Sequence, residues 1–329
     1  MQYRKFGNTG LNVSETGFGA WAIGGAAMIG TTAIGWGDSD DSVSVKAIYA
    51  ALDAGINFFD TADIYGLGHS EKLIGESIGS RNDILIASKA GNVARNDQFS
   101  IDYSKTHIVE ACEASLKRLK RGTIDYYQLH TARLEHLQNG ECIEAMLLLQ
   151  QQGKIRYWGL SLNTFDPEAD AEFLMNNDLG NGFQLVLNII NQKALPLIKL
   201  SATKGYGIIV RMPLQFGLLT GKYDKVAVFS ETDHRKNRLT REVIDSSLET
   251  TEPVWALCNK YNCTKTQLAL SYVLSYQEVS TVIPGIRTVE QVKLNTDGLF
   301  QLDKEDMEMI EELGSTEFVQ LMELIKKQG

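Results

Sequence analysis

The stretch Gly55–Ile78, GINFFDTADIYGLGHSEKLIGESI, decides how this chain is read. An apolar, strand-like run ends on Asp60, and Tyr65 follows in a glycine-rich loop. Two later apolar runs behave alike: DILIASK delivers Lys89 and IDYYQLH delivers His130. Polar groups at the ends of buried strands are how barrel enzymes assemble their chemistry on one rim. Asp, Tyr, Lys and His together form a proton-transfer set.

Working outward, further strand-like runs alternate with amphipathic, helix-length segments. In chain order the runs are GFGAW, INFFD, ILIAS, DYYQL, YWGLS, QLVLN, GIIVR and STVIP. Eight such βα units predict a buried parallel sheet closing into a (β/α)8 TIM barrel. The first residues, YRKFGNTGLNVSETGFG, carry an NTG turn between two alternating segments and read as a β-hairpin. At 329 residues the chain is long for one unit, yet barrels routinely exceed 250 residues, and no linker interrupts the pattern. One domain over 1–329 is expected.

Asp60, Tyr65, Lys89 and His130 match in order, spacing and context the catalytic tetrad of the aldo-keto reductases, and the chain resembles that superfamily from RKFGNTGLNVSETGFGAW to IPGIRTVEQVKLN. The likeness is to the bacterial-type and potassium-channel-β-subunit-like branch. It implies a barrel whose bottom is closed by the N-terminal hairpin. It also implies an NADP(H)-dependent oxidoreductase moving a hydride between nicotinamide and a small carbonyl, whether aldehyde, ketone or sugar, or the matching alcohol. Some relatives serve as nucleotide-sensing channel subunits with little turnover, which is the alternative reading.

The residue chemistry fits these roles independently. Hydride arrival puts charge on a carbonyl oxygen, and Tyr65 is the candidate acid. A phenol's ordinary pKa is about 10, so a cation at Lys89 would ease proton traffic by stabilising phenolate. Asp60 would pair that buried ammonium, and His130 would orient the substrate oxygen. Singly, each residue has a structural role open to it: a cap, a packed ring, a snorkelling stem, a core imidazole.

No GxGxxG opens a helix after the first strand, so a Rossmann site is not expected. Two late segments instead match the family's nucleotide-binding regions. In MPLQFGLLTGKY, Gly217 and Gly221 would admit a pyrophosphate, Lys222 would supply charge, and Leu214 and Leu219 would give apolar support. In IPGIRTVEQVKLN, Gly285 and Arg287 precede a helix with Gln291 and Asn295 four residues apart on one face. Arg287 near a helix N-terminus suits a 2′-phosphate, which favours NADPH, with NADH possible. At the nicotinamide end Ser161 and Gln184 carry over. Ser161-Leu162-Asn163 departs from the Ser-Asn of many relatives, and Arg211 stands where an aromatic ring is common. Arg235 and Arg238 belong to a lid candidate, FSETDHRKNRLTR.

A metal site built from Asp60, Asp63, His69 and His130 competes with this reading. Asp63 is better explained by turn hydrogen bonds, and His69 by a helix start at Ser70. The uncharged stretch from Ala20 to Gly37 reads as a loop over a pocket, since its Gly and Thr content does not suit a membrane span. Within its reach, Trp36 either stacks on a ligand or packs down the loop. A net charge of -9 argues against a nucleic-acid face. Cys112, Cys142, Cys258 and Cys263 lack metal spacing and are expected as free thiols. With no secretory pattern at MQYRKFGNTG, the expectation is a cytoplasmic protein, monomeric by default.

Overall fold

The computed structural model describes residues 1–223 and 227–328. Eight parallel strands form one sheet: β1 (Phe18–Gly19), β2 (Phe58–Asp60), β3 (Leu85–Ala90), β4 (Ile124–His130), β5 (Ile155–Ser161), β6 (Gly182–Val186), β7 (Gly207–Arg211) and β8 (Thr281–Ile283). Neighbours follow chain order from β1 to β8. The two ends meet: Gly17 N–H donates to Val282 O at 2.8 Å, Gly19 N–H to Pro284 O at 3.1 Å, and Val282 N–H to Glu15 O at 2.9 Å. The sheet is therefore a closed barrel, and closure removes the unpaired edges that a sheet otherwise exposes.

Strand composition explains the burial. Runs such as Leu85–Ala90 are buried at every position because helices cover one side while the barrel interior receives the other. The bottom of that interior is filled by Phe6, Val13, Phe58, Tyr126, Ile209 and their neighbours. Phe6 comes from the N-terminal hairpin (Tyr3–Lys5 with Asn12–Ser14) and meets Tyr126 edge-on at 4.9 Å. Gly182 and Gly207 make room for it, since a Cβ on either would lie 2.6–2.7 Å from the Phe6 ring. Arg4 anchors the hairpin by donating to the carbonyls of Leu274, Tyr276 and Val279. The hairpin thus plugs the N-terminal end, as expected, and leaves the C-terminal rim for the site.

Several loops on that rim carry structure of their own. The loop from Ala20 to Gly37 contains a small hairpin (Met28–Ile29 with Thr32–Ala33), and the loop after β3 contains another (Asn92–Arg95 with Gln98–Ile101). The lid candidate holds a short helix, Arg235–Arg238, and touches the first loop through a bridge between Trp36 and Asp233. No helix among the described residues is long and apolar enough to cross a membrane. The four cysteines are unpaired.

Candidate active site

The strand register brings the four residues together. Asp60 ends β2, Lys89 lies one residue from the end of β3, and His130 ends β4, so all three reach the same rim. Lys89 Nζ spends its three donors on Asp60 Oδ2 at 2.6 Å, Thr61 O at 2.8 Å and Tyr65 Oη at 3.3 Å. Asp60 Oδ1 accepts from Gln128 Nε2 at 3.1 Å and Gln184 Nε2 at 2.7 Å. With Asp60 2% and Lys89 0% exposed, the ion pair is buried and its polar atoms are satisfied. His130 stands edge-on to the Tyr65 ring at 5.9 Å, and its Nδ1 is buried without a hydrogen-bond partner.

Burial and charge act in opposite directions here. Burial alone would lower the Lys89 pKa, but Asp60 and Tyr65 outweigh it and hold the ammonium above its usual range. Burial raises the Tyr65 phenol, and Lys89 offsets this only in part, so the tyrosine is a neutral acid at neutral pH. The sequence suggested a phenol eased toward ionisation; desolvation of the ring outweighs that pull. His130 is held well below the imidazole range by burial, then by Lys89 and Arg211, and is neutral.

Tyr65 is positioned by a tight loop. Gly66 has φ 61°, and a Cβ there would lie 2.2 Å from Gly24 O. A side chain at Gly66 would push the Tyr65 turn off the first loop. Ser70 Oγ, on helix His69–Ile78, donates to Ala20 O at 2.8 Å and is 2.8 Å from Thr61 Oγ1, which ties this helix to the loop after β1. Trp21 stacks on Tyr65 at 5.6 Å and on His234 at 4.4 Å.

A cavity of about 750 Å3 opens over these residues. Asp60, Tyr65, His130, Ser161, Gln184, Arg211, Leu214, Gly217, Lys222, Gly285, Arg287, Gln291 and Asn295 line it. Of the residues singled out in the late segments, two do not: Leu219 is buried, and Gly221 ends the 3-10 helix Gln215–Thr220 at φ 76°. Lys222 lies over Gly217, where a Cβ would come within 2.6 Å of its Cε. Burial, and after it the nearby Arg235 and Arg287, lowers the Lys222 pKa to about 8. Arg235 and Arg238 also line the cavity.

Several side chains have tasks the sequence did not announce. Gln291 Oε1 accepts from the backbone N–H of Arg287 at 2.7 Å and of Thr288 at 3.2 Å, capping helix Val289–Thr296. Arg211 Nη2 donates to Leu162 O at 3.1 Å and Thr164 Oγ1 at 3.0 Å, while its Nε makes no hydrogen bond. Asn163 Oδ1 accepts from Phe165 and Asp166 N–H. Arg287 Nη1 reaches Asp38 O at 3.3 Å across the mouth.

The Asp63 carboxyl accepts from the backbone N–H of Ile64, the local turn contact expected of it, while its Oδ1 is buried without a partner, and burial beside Glu71 raises the carboxyl pKa to about 8. His69 opens its helix and contacts Asp41 at 2.8 Å. No metal-holding cluster of His, Cys, Asp and Glu occurs among the described residues. Trp36 both lines the cavity and packs, with Trp21, Phe216 and His234 against its ring and Arg235 over it at 4.7 Å.

This set of donors fits a nicotinamide dinucleotide. A run of cations lies to one side, glycines keep the wall low at Gly217 and Gly285, and buried Arg211 Nε and His130 Nδ1 have no partner within the protein. Residues 17–315 match the model described as "Aldo/keto reductase family". "Uncharacterized oxidoreductase YqkF" of Bacillus subtilis is 30% identical over 300 residues, 90% of each chain. A "Probable voltage-gated potassium channel subunit beta" of Oryza sativa is 29% identical over 324 residues, 91% of each. The holo form of aldo-keto reductase AKR11C1 from Bacillus halodurans superposes with TM-score 0.77 and 28% identity, covering 95% of this chain and 96% of that one.

Proposed function

The chain belongs to the aldo/keto reductase family, and from that premise we propose that it is an NADP(H)-dependent oxidoreductase interconverting a small aldehyde, ketone or sugar and its alcohol. The observation that carries this reading is a single ammonium, Lys89 Nζ, bonded to both Asp60 and Tyr65 under an open cavity. When bound, NADPH supplies the hydride. Tyr65 holds the proton that the carbonyl oxygen must take up, and its raised pKa keeps it protonated before reaction. Lys89 lies close enough to stabilise the phenolate left behind, and Asp60 fixes the ammonium against Tyr65. His130, neutral, offers a ring N–H to the same oxygen and orients it.

Ser161, Gln184 and Arg211 would hold the nicotinamide end. Leu214, Gly217 and Lys222 would border the pyrophosphate, with Leu219 and Gly221 supporting that loop. Gly285, Arg287 and Asn295 would meet the adenosine end, where Gln291 acts by shaping the Arg287 backbone. Arg287 as partner of a 2′-phosphate favours NADPH over NADH.

Parallel titration of NADPH and NADH by protein fluorescence, followed by addition of an aldehyde panel, tests this reading. Tighter NADPH binding with turnover supports it. Tight binding without turnover would favour a nucleotide-sensing subunit, the reading prompted by the potassium-channel relative. Binding of neither nucleotide would defeat both.

A further inference from the structure

Barrel order sets two hairpins on either side of Tyr65. β1 and β3 are the neighbours of β2, which ends on Asp60 and leads into Tyr65, and each of these neighbours is followed by one hairpin. The hairpin tips touch: a Cβ on Gly30 would lie 2.5 Å from Asp97 O. Between them the cavity has an arm lined by Thr32, Ala33, Ile34, Asn92 and Phe99. Lys222, Arg235, Arg238 and Arg287 all come from beyond β7 and β8. The cavity is thus divided into a cationic side and an uncharged one.

The uncharged arm is also apolar where it opens. Phe99 is 54% exposed, and Ile101 on the same strand is 51% exposed. Large apolar residues left open beside a cavity are candidates for ligand contact. Deeper in, the Trp21 face stacked on Tyr65 continues the apolar wall, and its indole N–H is already committed to Ile34 O at 3.0 Å. A carboxylate or polyol entering this arm would shed water with no cation and few donors to replace it. An alkyl chain would lose nothing and would bury its surface.

Resting on the reading of Tyr65 as proton donor, we infer that the arm between the two hairpins is a subsite for the apolar tail of a neutral aldehyde, with Phe99 as its outer wall. The carbonyl lies at Tyr65 and the chain runs out past Ala33 and Ile34 to Phe99. Hydrophobic tails are selected over short, hydroxylated or anionic carbonyls.

Straight-chain aldehydes from propanal to nonanal, with glyceraldehyde beside them, test this with NADPH as reductant. The inference predicts that kcat/KM rises roughly threefold for each methylene that the arm buries, until the chain clears Phe99. In Phe99→Ala the nonanal-to-propanal ratio should fall at least about tenfold, because the outer methylenes lose their wall. Phe99 is exposed, so the substitution spares the fold. A flat length series, or a ratio unchanged in the variant, on an enzyme that reduces glyceraldehyde would overturn the subsite and leave the reductase reading standing. Failure to reduce any aldehyde would remove both.

Discussion

Splitting the buried Asp60–Lys89 pair one partner at a time should cost more, summed over the two single substitutions, than removing both partners together. Asp60→Asn keeps the shape and can still accept from Gln128 and Gln184, but it deprives a fully buried ammonium of its counter-charge at 2.6 Å. Breaking a buried pair from one side costs about 3–5 kcal/mol. Lys89→Met strands the carboxylate with two amide donors and should cost a similar amount. The double variant replaces carboxylate by amide and ammonium by a methyl-ended thioether, so it should cost about 2–3 kcal/mol less than the sum of the singles. Urea unfolding of the four proteins, compared through midpoints and slopes, reads these differences. The pH dependence gives a second arm. Lys89 has a folded pKa above the ordinary lysine value of 10.5, so the pair's contribution is complete below that pH and is lost as pH rises through the folded value. In Asp60→Asn, burial is no longer opposed by the carboxylate, and the penalty should shrink as pH rises toward 10.5. Additivity of the two singles within about 0.5 kcal/mol, or a penalty that grows with pH, would refute this account of the pair.

Arg287→Ala should weaken NADPH roughly 10- to 100-fold and NADH little, since it removes a charge-assisted bond to phosphate alone; fluorescence titration reads both. Gly66→Ala sets a Cβ 2.2 Å from Gly24 O at φ 61°, so it should lower the melting temperature and displace Tyr65, reducing turnover while nucleotide still binds. His234 is held down to about 3 by burial and by Arg238, so the unfolded chain takes up its proton first as pH falls below 6.5. Stability should therefore decline from pH 6.5 toward 3, and the decline should be shallower in His234→Phe; equal slopes in urea titrations of the two proteins would contradict it.

Strand ends were legible in the sequence because buried parallel strands are continuous apolar runs, so a terminal Asp60, Lys89 or His130 stands out against its own segment. The hairpin announced itself through its NTG turn for the same local reason. Contacts made only on closure were not legible. Gln128 and Gln184 reach Asp60 from two other strands, 68 and 124 residues away. Gln291 lines the cavity together with Asn295, four residues on, and a Gln three residues after Thr288 is also a capping-box signal, a bond it makes as well. For Asp63 the local turn contact to Ile64 was legible, while its burial against Glu71 was not. The hairpin at Met28–Ala33 lies in the Ala20–Gly37 stretch, whose Gly and Thr content reads simply as loop, and the one at Asn92–Ile101 follows β3 with no turn signal that was picked out.

Whether Tyr65 delivers the proton during NADP(H)-linked reduction is read by single-turnover mixing of NADPH-loaded protein with an aldehyde, followed as loss of nicotinamide absorbance in wild type and Tyr65→Phe. With Tyr65 as the acid, the variant retains NADPH affinity while oxidation of the bound nucleotide slows by about 10²–10⁴-fold, the usual worth of a positioned acid. Equal single-turnover rates in the two proteins would contradict it.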